Sequence, residues 1–169
     1  MPSPSHVSIV VVALAALLAG CSGASLTLAV PPLTIPGNST AGTVCYGQGE
    51  GAGGVRVRAA TYRAAATYRS EGALFETSDT VEVRVYGRSV PPVGTCAAVD
   101  EDDVELGGPF ELVIEETRPI VVGEGAAATA LAALINDGDY WIGVSLVGGV
   151  SLGGTRSITF DDGRVTITF

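Results

Sequence analysis

Through much of the chain, apolar and polar residues alternate with a period of two. The clearest run is residues 80–90 (TVEVRVYGRSV), with Val81, Val83 and Val85 on one side and Glu82, Arg84 and Tyr86 on the other. That period belongs to a strand, whose successive side chains point to opposite faces. Similar patterning predicts strands at 43–48, 110–115, 119–122 and 140–147, and an edge strand at 25–35 broken by Pro31-Pro32. Residues 55–69 are rich in Ala but carry the tetrapeptide ATYR twice, at 60–63 and 66–69. An offset of six returns a strand to the same face and turns a helix by about 120°. A strand is therefore predicted there.

Two segments depart from simple alternation. Residues 124–136 bring Leu131, Leu134 and Ile135 to helical spacing, with Asn136-Asp137-Gly138 as a stop, so one short helix is predicted. At the C-terminus, 157–160 and 164–169 flank Asp162-Gly163. That dipeptide predicts a type I′ hairpin with Phe160 opposite Val165 and Ile158 opposite Ile167. Seven or eight strands at roughly ten-residue spacing imply an all-β fold, an antiparallel β-sandwich of immunoglobulin-like architecture with one short helix. The order Cys45, Cys96, Trp141 differs from the Cys–Trp–Cys order of immunoglobulin domains, so the likeness is one of architecture. Trp141, beside Ile142, Val144 and Leu146, is expected in the core.

The N-terminal region follows another logic. Residues 7–18 (VSIVVVALAALL) form a strongly apolar run of about 12 residues, shorter than the ~20 that a membrane-spanning helix needs. It ends at Leu18-Ala19-Gly20-Cys21, which resembles the lipobox of bacterial lipoproteins. The resemblance implies that residues 1–20 are a cleaved signal peptide, that Cys21 is lipidated, that 21–24 form a tether and that 25–169 form the β-sandwich domain. It also implies a location in the cell envelope, outside the cytoplasm, held to a membrane by lipid. Ser22 stands where an Asp would signal inner-membrane retention, which favours the outer membrane. The leader MPSPSH departs from the pattern in having no Lys or Arg. The competing reading is an ordinary secretory signal.

Cys45 and Cys96 then form an even pair in an oxidising compartment, and a disulfide is expected in preference to two separate thiols. The single His is His6, inside the leader, and all nine basic residues are Arg. A chain cut before Cys21 has no His or Lys, which excludes Ser-His-Asp and Cys-His nucleophilic sites, imidazole-bound zinc and lysine Schiff bases. No cofactor is implied. A net charge of −9 argues against nucleic acid as a partner. The acidic run at 100–103 offers Asp100, Asp102 and Asp103 as calcium ligands, without the spacing of known calcium loops; the competing reading is a solvated, self-repelling loop. Arg56, Arg58, Arg84 and Arg88, with Tyr62 and Tyr86, would form a basic aromatic surface for a glycan or an anionic polymer of the envelope if their strands paired; the competing reading is the wet side of a sheet. Glu115-Glu116 would point to opposite faces of a strand, unlike a glycosidase pair. Three functions follow: a non-enzymatic binding or scaffolding protein of the envelope, a carboxylate-dependent hydrolase of glycans, or a calcium-stabilised adhesion module.

Overall fold

The computed structural model describes residues 24–70, 79–147, 152 and 155–169. Cys21 and the apolar run before it lie outside the described residues. In chain order the elements are β1 (Ser25–Ala29), β2 (Leu33–Ile35), β3 (Thr43–Gly49), β4 (Ala59–Ser70), β5 (Thr80–Arg88), β6 (Cys96–Ala98), β7 (Val104–Val113), β8 (Thr117–Val122), α1 (Ala126–Asp137), β9 (Tyr140–Leu146) and β10 (Arg156–Thr168).

These strands build two antiparallel sheets. One has the order β1-β10-β4-β8, with β2 also paired to β10; the other has the order β6-β3-β9-β5-β7. The alternation in the sequence explains why they face each other. Val81, Val83 and Val85 of β5 and Ala60, Tyr62, Ala64, Ala66 and Tyr68 of β4 all enter one shared core. Burying each large apolar side chain in such a core contributes about 1.5–3 kcal/mol. The repeated ATYR places Tyr62 and Tyr68 on the inward face and leaves Arg63 and Arg69 exposed, as the six-residue offset requires. Helix α1 buries Leu131, Ala132, Leu134 and Ile135 and packs mainly on β4 and β7. The chain is an all-β antiparallel sandwich with one short helix.

The C-terminal hairpin does not form. Residues Arg156–Thr168 are one strand that runs the length of β4. The register shifts between Asp161, opposite Ala65, and Arg164, opposite Arg63. Three steps along β10 therefore match two along β4, a β-bulge with one extra residue. Asp162 takes up the distortion at φ 54°, a left-handed conformation that Asp tolerates better than most residues. The hydrophobic pattern could not separate the two outcomes. A two-residue turn and a one-residue bulge both exchange the parity of inward positions, from Ile158 and Phe160 to Val165 and Ile167.

The same disruption is mirrored on the other side of β10. There β1 pairs with the half after the bulge and β2 with the half before it, and Pro31-Pro32 separates them. Strand β7 also starts earlier than expected, at Val104, because Gly107-Gly108-Pro109 sits inside it as an irregularity opposite Val83–Val85 rather than before it as a turn.

Candidate functional site

The most organised polar cluster lies outside the core, on the outward face of the second sheet. Cys96 of β6 is bonded to Cys45 of β3, with Cα atoms 4.0 Å apart and a sequence separation of 51. This is the disulfide expected from the sequence. A loop of that length contributes about 4 kcal/mol in the chain-entropy model. After β6 the chain must reach β7 at the opposite edge, four strand spacings away, or roughly 19 Å. Residues 99–103 make that crossing as a strap over the outward face. Val99 N–H bonds to Gly42 C=O at one end, and Asp103 reaches Tyr46 at the other.

The strap is closed by its own acids. Asp103 N–H donates to Asp100 C=O at 3.2 Å, Asp102 N–H to Asp100 Oδ1 at 2.9 Å, and Asp100 N–H to Asp103 Oδ2 at 3.0 Å. Beneath it lies Arg88, whose side chain is 4% exposed. The guanidinium donates through Nε to Val90 C=O (2.8 Å), through Nη1 to Asp100 (3.3 Å) and Tyr46 Oη (3.3 Å), and through Nη2 to Asp102 (3.1 Å). Nη1 also lies 3.6 Å from Asp103, whose carboxylate is wholly buried. Tyr46 stacks under the guanidinium at 5.4 Å and donates its hydroxyl proton to Asp103 at 2.8 Å. Burial pushes the Tyr46 phenol up to about 12; Asp103 adds to the shift and Arg88 opposes it. Burial disfavours the Arg88 cation, but Tyr46, Asp100 and Asp103 outweigh that and hold it protonated, above its ordinary value.

A glycine permits this arrangement. Tyr46 pairs with Gly143 of β9, and a Cβ at Gly143 would sit 2.8 Å from the tyrosine ring and closer still to Val44. Val44 is fully buried yet lies outside the core cluster, as a residue on a strapped outward face should.

The acidic run is thus solvent-exposed at Asp100, Glu101 and Asp102, as the solvated-loop reading expects, but it is not self-repelling: an arginine holds it together. The carboxylates of Asp100, Asp102 and Asp103 converge on a guanidinium. Among the described residues no group of three or more His, Cys, Asp and Glu is arranged to hold a metal ion. Sequence reasoning placed Arg88 on the right face of β5 and missed its burial. The available signal was a strand-end arginine 12 residues before an acidic run.

The expected basic aromatic surface does not assemble. Arg84 and Arg88 lie on β5 in one sheet; Tyr62 lies on β4 in the other and points into the core, and Arg56 and Arg58 precede β4. Arg84 instead pairs with Glu105 at 3.1 Å. Trp141 is also not in the core: it is half-buried on the outward face, between Gln48 and Arg88 in register. Its inward neighbours Tyr140 and Ile142 take the core positions. Glu115 and Glu116 are both exposed, and Glu115 accepts the Ser70 N–H.

An open groove of ≈ 890 Å³ lies between the glycine loop 50–56 and the C-terminal end of α1. Glu50, Asp137 and Asp139 line it together with Arg56. Asn136 ties its two walls by a paired contact with Val57, accepting the backbone N–H at 2.8 Å and donating to the C=O at 2.9 Å.

No family model matches the chain, and no curated protein matches it. Among solved structures the chain is similar to one in the T13 IBDV viral particle, at 11% identity and a TM-score of 0.33. The match covers 88% of this chain and 31% of the viral one.

Proposed function

We propose that this chain is a lipid-anchored protein of the bacterial cell envelope whose β-sandwich acts by binding or scaffolding rather than by catalysis. The observation that carries this reading is Leu18-Ala19-Gly20-Cys21 at the end of the apolar run. Acyl chains on Cys21 replace the removed apolar segment as the anchor, and several chains together hold a protein stably where one does not. Ala24 C=O accepts the Phe169 N–H, so the folded body starts three residues after Cys21. Three residues span at most about 11 Å, which keeps the sandwich against the bilayer surface. The disulfide suits an oxidising compartment outside the cytoplasm.

Intact mass of the mature protein, taken with membrane fractionation, tests the anchor. The expected product begins at Cys21, carries acyl mass and pellets with membranes; Cys21→Ala leaves the leader uncut. An unmodified, soluble mature protein overturns the reading.

The groove supports a second reading, a carboxylate-dependent hydrolase of glycans, because Glu50, Asp137 and Asp139 line one concave surface.

A further inference from the structure

The outward face of the first sheet differs from the rest of the molecule. Its five strands contain five of the nine arginines but only two of the eighteen acidic residues, Asp161 and Asp162. In a chain of charge −9 that is a strong segregation. Arg63 and Arg164 stand directly opposite each other on β4 and β10, both exposed. Like charges in such a cross-strand pair repel and weaken the sheet. Among the described residues neither forms an ion pair. A hydroxyl row adjoins the arginine pair on one side; on the other, the exposed Asp161, opposite Ala65, stands between the pair and a second hydroxyl row. Thr27, Thr166 and Thr61 align across β1, β10 and β4. Thr34, Thr159, Thr67 and Thr117 align across β2, β10, β4 and β8. Some of these hydroxyls touch one another, as Thr67 and Thr117 do at 2.9 Å; Thr67 is buried, whereas Thr27, Thr34, Thr117 and Thr166 are exposed and keep lone pairs to spare.

We propose that this face is a docking platform for a linear acidic polysaccharide. One carboxylate or sulfate of the polymer sits between the Arg63 and Arg164 guanidiniums, which match its planar oxygens and relieve the repulsion. The threonine rows, roughly 7 and 13 Å from Arg63 along β4, take hydroxyls of the flanking sugars. The proposal rests on the envelope location argued above, where such polymers are the neighbours, and supplies the ligand class that the binding reading lacks.

Full-length mature protein in detergent is titrated calorimetrically with alginate oligosaccharides, and separately with neutral dextran, polyphosphate and phosphatidylglycerol vesicles. Alginate binds and dextran does not. The double variant R63Q/R164Q weakens alginate binding at least tenfold and lowers the slope of log affinity against log salt by roughly two, one for each guanidinium lost. T159V/T166V weakens binding without changing that slope, and R84Q on the other sheet leaves it unchanged. Thermal melts of each variant verify the fold. Absent alginate binding, or binding that R63Q/R164Q leaves intact, overturns the proposal. So does arginine-dependent binding of vesicles or polyphosphate alone. Alginate binding by a protein whose mass shows Cys21 unacylated supports the platform and removes the anchor.

Discussion

The two outward faces of the sandwich treat charge in opposite ways. On the second sheet, Arg88 is covered by a strap, and tyrosine, backbone and three carboxylates satisfy its donors. On the first sheet, Arg63 and Arg164 face each other across two strands, exposed. A cation buried with its partners fastens structure, and its removal leaves carboxylates stranded. A cation left beside another costs stability that only a ligand recovers. The same residue type is a fastener on one face and a recognition element on the other, and burial with pairing decides which.

Substitutions should separate these roles. The largest effect is expected from Arg88→Met, which strands the buried Asp103 and should cost about 3 kcal/mol in urea unfolding. Arg84→Met breaks only the exposed pair with Glu105 and should stay within about 0.5 kcal/mol. Equal costs for the two would show that the strap fastens nothing.

A smaller effect is expected from alkali. Tyr46 and Tyr140 are both pushed up to about 12, chiefly by burial. In the unfolded chain they lose their protons near pH 10, so the folded state is favoured below that and loses ground as pH rises from 10 to 12. Melting temperature should therefore fall over that interval, and Tyr46→Phe should fall less steeply; parallel curves would remove Tyr46 from the account.

The smallest effect is on the exposed pair. Arg63→Thr removes a like-charge contact and should raise stability by about 0.3 kcal/mol, read as a small upward shift in melting temperature. A loss instead would mean that Arg63 serves the fold.

Local periodicity carried most of the fold. The inward face of β5, the double ATYR of β4, the proline break at 31–32 and the cysteine pair are all where the sequence pointed. What it could not carry was any feature set by a partner distant in the chain. Asp162-Gly163 has the same local chemistry in a turn and in a bulge, and β4, about a hundred residues earlier, decides between them. Trp141 sits in an apolar run, but alternation sends it outward beside Arg88. The acidic run looked self-repelling because nothing nearby in sequence neutralises it. The pairing of β5 with β9 and β7 sets Arg88 beneath it.

The proline pair also has a consequence for how the protein behaves in a crowd. Strand β10 is lined on one side by two short pieces, five and three residues long, with two residues between them that have no N–H to offer. A foreign strand seeking to extend this sheet finds no unbroken ladder on which to zip. The molecule can thus carry a hydroxyl-rich sheet to its surface while its β1/β2 edge is kept from seeding fibrils.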